Sequence, residues 1–269
     1  MSLRLRILLL ITAVNVAVLV LLAGGLGTRM REETEYRPKP MVEIGGQPIL
    51  WHIMRNLANA GVTDFIIASG YKSKVIDDYF ANHPHWANLA SPREQAVMFA
   101  GKGEQEGWRV TVAFTGDVTG TGGRVARVAD LVDDQRFLVT YGDGLADVDV
   151  RRLLEFHDSS GSRATLTAVQ PTSRFGLMDI DDAGRVTHFR EKPKMKDWVS
   201  IGYFVFEPEV LGYLSDDCGL EEDGLTRLAA DSQLSAYRHE GFWQPMDTYR
   251  EYQILEGLWE SGEAPWRTW

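Results

Sequence analysis

Seventeen residues from Ile7 to Ala23, apolar except for Thr12 and Asn15, run without a linker into Ala23-Gly24-Gly25-Leu26-Gly27-Thr28-Arg29. An unbroken aliphatic run of this kind can be a signal segment, a membrane anchor or a strand buried on both faces. Arg4 and Arg6 in front of it resemble the first two, and its length lies at the lower edge of the roughly 20 residues that span a bilayer. The turn that follows points to the third. A buried strand entering a Gly-rich turn opens a nucleotide-binding α/β fold, and Val16 to Leu22 is long enough to be that strand. A bilayer or a signal peptidase would take away the central strand, so neither a membrane partner nor export is expected.

The rest of the chain alternates strand and helix. Helical spacing covers Ile49–Ala60, stopped by Gly61, and Lys72–Phe80, Arg124–Val132, Val148–Asp158 and Tyr249–Trp259. Strand patterns occupy Asp64–Ala68, Arg109–Phe114, Phe137–Tyr141, Ala164–Val169 and Val199–Phe206. Leu177–Ile180 and Arg185–Phe189 flank Asp181-Asp182-Ala183-Gly184 as a hairpin. Residues 83–108 have no clear period and read as a long excursion. Alternating strands and helices without a Pro- or Ser-rich linker predict one α/β domain with a mostly parallel sheet covered on both faces.

Thirty-eight acidic against 28 basic residues give a net charge of −10, which excludes a general nucleic-acid binder. An acidic chain that handles phosphates must gather its positive charge locally or recruit a cation. Cys218 is the only cysteine, so no intrachain disulfide and no Cys-ligated zinc can form, and a reducing, cytoplasmic setting is expected. His83 and His85 lack a third metal ligand nearby and read as surface loop. The aromatic tail with Trp259, Trp266 and Trp269 reads as packing or a subunit interface.

In a parallel α/β sheet the ligand lies beyond the carboxyl ends of the strands. Three segments leave strands there: Gly24–Pro40, Gly142-Asp143-Gly144 and Glu191-Lys192-Pro193. Glycines let backbone amides approach phosphate oxygens, and Arg29 and Lys39 add charge. The first segment lacks the third glycine of a dinucleotide fingerprint, and no P-loop occurs in the chain. Asp143 leaves a strand between two glycines, where it is either a turn residue or a ligand for Mg²⁺ beside a phosphate. Asp247 is equally a helix cap or the second such ligand.

Combined, GGLGTR, Pro38-Lys39-Pro40 eight residues later, MVEIGGQPIL, TGGR, TYGDG, EKPK, GFWQPMDT and LEGLWESGEAPWRTW resemble the sugar-1-phosphate nucleotidyltransferases. Within that family the resemblance is greatest to the glucose-1-phosphate cytidylyltransferase branch, and it runs from about Val16 to Trp269. It implies a Rossmann-like three-layer α/β/α domain over residues 16–269. Residues 1–15 are then surplus, and a start near Val14 or Val16 is expected. The implied reaction joins a nucleoside triphosphate, CTP in this branch, to a sugar 1-phosphate, glucose 1-phosphate in this branch, with release of pyrophosphate. By the same resemblance Leu22, Ala23, Gly24, Gly25, Leu26, Gly27 and Thr28 wrap the nucleotide, with Thr119, Arg124 and Gly142 against it. Arg29 holds the leaving pyrophosphate and Lys39 contacts phosphate oxygens. Asp143 and Asp247 bind Mg²⁺, Glu191 touches sugar hydroxyls, and Lys192 neutralises the sugar phosphate. Homo-oligomers are common in the family. Ser200 and Ile201 depart from its pattern of an asparagine followed by a glycine, which alters the sugar contacts. A non-catalytic sugar-nucleotide sensor could share the fold, but it could dispense with the metal ligands or the arginine that this chain keeps.

Overall fold

The computed structural model describes residues 18–25, 34–91 and 93–269. Strand β1 (Val18–Ala23) is followed by a 3₁₀ turn at Lys39–Met41, a small hairpin of β2 (Glu43–Ile44) and β3 (Gln47–Pro48), and α1 (Ile49–Asn59). Then come β4 (Asp64–Ser69), α2 (Ser73–Asn82), β5 (Trp86–Leu89), β6 (Ala96–Gly101), β7 (Arg109–Phe114) and α3 (Thr121–Arg127). The second half runs through β8 (Phe137–Tyr141), β9 (Gly144–Ala146), α4 (Val150–Ser160), β10 (Ala164–Val169), β11 (Leu177–Ile180), β12 (Val186–Arg190) and β13 (Val199–Phe206). A π-helical turn at Leu220–Leu225 precedes α5 (Thr226–Ala230), β14 (Leu234–Arg238), β15 (Trp243–Pro245) and α6 (Tyr249–Glu260).

Among the described residues nine strands form one sheet in the order β14-β10-β13-β8-β1-β4-β7-β6-β5, and of these β13 and β6 run against the rest. The apolar run that opens the chain is explained by its position. Leu19, Leu21 and Ala23 of β1 point into one core layer, and Val18, Val20 and Leu22 into the other. With both faces buried, apolar side chains along the whole strand leave no polar group stranded away from water. Helices α1, α2, α4 and α6 cover the first layer, with Leu50, Phe80, Leu153 and Leu255 fully or nearly fully buried; α3 and α5 cover the second through Val125 and Leu228. The result is the three-layer α/β/α sandwich that the alternation predicts.

Two sequence readings need correction, and three strands were not foreseen. Residues 83–108 are not an unpatterned excursion: β5 and β6 extend the sheet edge, and Trp86 and Phe99 pack with Phe80 and Trp108. The helix expected over Arg124–Val132 starts earlier, at Thr121, and ends at Arg127, with a 3₁₀ turn at Ala129–Leu131. The edge strand β14 and the ribbon of β9 with β15 carry too few alternating apolar residues to be read from pattern alone. The leader at residues 1–15 lies outside the described residues. Among those described, no helix is long and apolar enough to cross a membrane. The aromatic tail packs inward: Trp266 is fully buried, and its indole N–H donates to His52 Nδ1 at 3.4 Å.

Candidate active site

Beyond the carboxyl ends of β1 and β8 lies a cleft of about 370 Å³. Leu22, Ala23, Gly24 and Gly25 form one side, Gly142 and Asp143 another, and Lys39, Thr119 and Arg124 close it. Nine of the expected site residues, seven of them expected around the nucleotide, therefore line one cleft. Leu26, Gly27, Thr28 and Arg29 lie outside the described residues. The cleft also takes in Pro40, Asp117, Val118, Thr121 and Tyr141, for which motif reading gave no separate signal.

Gly24 is required by a close approach. A Cβ there would lie 2.0 Å from the Arg124 guanidinium carbon. That guanidinium is buried beneath the turn and donates to the carbonyls of Gly24, Ser69 and Gly116 and to the Thr115 hydroxyl, at 2.7–3.0 Å. Burial, together with Arg127 nearby, holds its pKa below the ordinary arginine value. Arg124 thus ties together the segments leaving β1, β4 and β7. It lines the cleft as expected, with its guanidinium held there by three carbonyls and the Thr115 hydroxyl. Thr119 is engaged similarly: its hydroxyl donates to the Thr115 carbonyl at 2.5 Å and accepts from Arg127 at 3.0 Å.

The centre of the site is a cation between two carboxylates. The Lys39 ammonium donates to Asp143 Oδ2 at 2.9 Å and to Asp247 Oδ1 at 2.6 Å. Each member is brought there by its backbone. Pro38 and Pro40 flank Lys39 in the 3₁₀ turn and preset its path. Asp143 and Asp247 lie 104 positions apart, but in the β9–β15 ribbon Gly144 is opposite Pro245, and the Met246 N–H donates to the Asp143 carbonyl at 2.8 Å. Burial alone would lower the Lys39 pKa, but the two carboxylates outweigh it and hold the group above the ordinary lysine value. The pair remains about one-third exposed on each aspartate. Two hard oxygen donors that already converge on one positive charge, and stay open to water, suit Mg²⁺, which keeps several waters and takes phosphate oxygens as ligands. No group of three or more metal-ligating side chains occurs among the described residues, so an ion here would rely on substrate oxygens as well.

A second hollow of about 680 Å³ adjoins the first and shares Thr121, Tyr141 and Asp143 with it. Ser200, Ile201, Glu221, Trp243 and Asp247 complete its wall. On β13 the register slips: Leu166 of β10 is opposite Phe204, but Ala168 is opposite Ser200. The resulting bulge places Gly202 at φ +76°, with the Tyr141 ring where a Cβ would be. Bulges beside sites re-aim neighbouring side chains. Glu191 and Lys192 do not join either hollow. They lie exposed after β12, with Lys192 in the left-handed region at φ +44°, 3.7 Å from the Glu191 carboxylate. Glu191, expected at sugar hydroxyls, and Lys192, expected at the sugar phosphate, are thus not brought together with the other site residues.

Residues 18–244 match the sequence model of the nucleotidyl transferase family. The chain belongs to this family. It is 50% identical over 254 residues to the glucose-1-phosphate cytidylyltransferases of Salmonella typhi and Salmonella typhimurium, covering 93% of this chain and 98% of each relative. A UTP-bound UGPase from Acinetobacter baumannii superposes with a TM-score of 0.66 at 17% identity, over 91% of this chain and 93% of that one, which shows the shared fold.

In this nucleotidyl transferase a further carboxylate, missed by motif reading, supports Asp247. Buried Glu251 accepts the Asp247 and Thr248 backbone N–H groups at 2.8 and 2.9 Å through Oε2. Its other oxygen pairs with Arg174, and the Thr248 hydroxyl caps the Glu251 N–H in return. The signal was present in the sequence: Thr248 followed three residues later by glutamate is a capping box.

Proposed function

We propose that the chain transfers a cytidylyl group from CTP to glucose 1-phosphate, giving CDP-glucose and pyrophosphate. The observation that carries this reading is the Lys39 ammonium held by Asp143 and Asp247 where two hollows meet, one for each substrate. The half-identical Salmonella cytidylyltransferases support the choice of nucleotide and sugar.

The sugar-phosphate oxygen is already anionic at neutral pH and attacks the α-phosphorus in line as pyrophosphate leaves. No covalent enzyme intermediate and no strong base are needed. The obstacle is the approach of two anions, so positioning and charge neutralisation supply most of the rate. Backbone amides of residues 22–25 and the turn at Gly142 seat the nucleotide. Asp143 and Asp247 would hold Mg²⁺, which when bound neutralises charge on the phosphates. Lys39 stays protonated and turns from the carboxylates to phosphate oxygens as substrates enter. Arg29 is assigned to the leaving pyrophosphate, and Lys192 and Glu191 to the sugar phosphate and its hydroxyls, on the resemblance of GGLGTR and EKP. Residues 16–269 act as one catalytic unit, and a cytoplasmic setting suits both CTP and the unpaired, buried Cys218.

The test is pyrophosphate release over a grid of four nucleoside triphosphates and several hexose 1-phosphates, with and without Mg²⁺. CTP with glucose 1-phosphate and Mg²⁺ should be the fastest combination. Another nucleotide preferred tenfold or more, or no release with any pair, overturns the assignment.

A further inference from the structure

Among the described residues the second hollow contains three carboxylates, and only two are explained by the phosphates. Asp143 and Asp247 serve the cation. Glu221 projects from the π-helical turn, anchored by buried Leu220 and Leu225. Such turns are rare and are frequent at functional sites. The Glu221 carboxylate is oriented by one oxygen: the Thr121 hydroxyl donates to Oε2 at 3.0 Å, and that hydroxyl itself accepts from the Leu220 N–H at 2.9 Å. Among the described residues no donor reaches Oε1. Tyr141 and Trp243 line the same hollow. Ser200, short and with its hydroxyl 3.4 Å from the Gly202 N–H, leaves the long-reach polar contacts to another element.

We infer that Glu221 recognises the acceptor sugar by accepting ring hydroxyls through Oε1, and that its charge excludes acceptors carrying a carboxylate on the sugar. This rests on the reaction proposed above. Thr121 belongs to both hollows, so the residue that fixes Glu221 also borders the nucleotide. A site built to pair with a hydroxyl discriminates strongly against the analogue lacking it, because the buried or oriented polar group is left without its partner.

The experiment takes the sugar 1-phosphate that the wild-type protein turns over best and compares it with its 2-, 3-, 4- and 6-deoxy analogues. Wild type, Glu221→Gln, Glu221→Ala and the neighbouring Glu222→Ala are measured at saturating nucleotide. Wild type should lose at least tenfold in kcat/KM for at least one deoxy position. Glu221→Ala should raise KM for the parent sugar phosphate at least tenfold, leave KM for the nucleotide within twofold, and shrink that deoxy penalty to twofold or less. Glu221→Gln should retain part of the penalty and accept a uronic acid 1-phosphate better than wild type, and Glu222→Ala should match wild type. If Glu221→Ala and Glu221→Gln both keep the full wild-type penalty, or raise both KM values equally, the inference is wrong. If wild type turns over no sugar 1-phosphate, the reaction assignment falls first, and that failure is seen before any variant is made.

Discussion

Replacing Lys39 by methionine removes the ammonium that lies 2.9 Å from Asp143 and 2.6 Å from Asp247 and leaves the two carboxylates facing one another. A hydrogen bond to a charged group contributes about 1.5–3 kcal/mol. Both aspartates are about one-third exposed, so solvent screening reduces the pair to about 2 kcal/mol in all. The same figure governs metal binding, because in the wild type an incoming cation must displace the ammonium. The Lys39→Met protein should therefore bind Mn²⁺ without nucleotide about 30-fold more tightly than wild type, as 1.4 kcal/mol corresponds to a factor of ten. It should melt about 5 °C lower in chelator and recover with excess Mg²⁺. Electron paramagnetic resonance titration of Mn²⁺ and thermal melts give both numbers, with Asp143→Asn as the control that binds neither way. A variant that binds Mn²⁺ no better than wild type and melts identically in chelator would refute the shared position of ammonium and metal.

Three further outcomes follow from the same geometry. Asp143→Asn and Asp247→Asn should each lower kcat by about 100-fold or more while costing only about 1 kcal/mol of stability, since each removes one of the two carboxylates on Lys39; near-wild-type turnover at low Mg²⁺ would remove that residue from the metal site. Glu251→Ala should cost about 1–3 kcal/mol in urea denaturation and raise the Mg²⁺ concentration needed for half-maximal rate, because the Asp247 and Thr248 N–H groups and Arg174 lose their acceptor; loss of stability with an unchanged Mg²⁺ requirement would leave Glu251 purely structural. Burial holds His52 neutral with a pKa of about 4, against 6.5 in the unfolded chain. Its contribution is complete above pH 6.5 and falls away as pH drops toward 4, by about 3 kcal/mol, and His52→Gln should flatten that part of the urea-stability profile between pH 7 and 4.

How much of this was legible in the sequence depended on whether a residue's role was set by its neighbours in the chain or by distant ones. The strand at residues 18–23, the helix after Pro48 and the hairpin at Leu177 follow from local period and turn chemistry, and all three form. The candidate ligands Asp143 and Asp247 were legible because each sits in a distinctive short motif. That a lysine would lie between them was not, since it is separated from them by 104 and 208 positions and depends on the register of a three-residue ribbon. Arg124 sits in a motif that suggests a ligand contact, while the carbonyls that occupy it come from three other strands' ends. Glu221 sits in Glu221-Glu222-Asp223, which reads as solvated surface until the fold turns one of the three toward the hollow.

The two hollows are anchored to very different depths of the protein. The hollow assigned above to the nucleotide is cut into the core itself: Leu22, Ala23 and Arg124 are buried and shared between sheet, helix and cleft. Ser200 and Glu221, in the hollow assigned to the sugar, are exposed. Surface substitutions away from special features usually change stability by less than about 0.5 kcal/mol, whereas core changes cost several times more. Descendants of this chain can therefore try new acceptors one substitution at a time, while a change of nucleotide demands that the centre of the sheet be rebuilt around it.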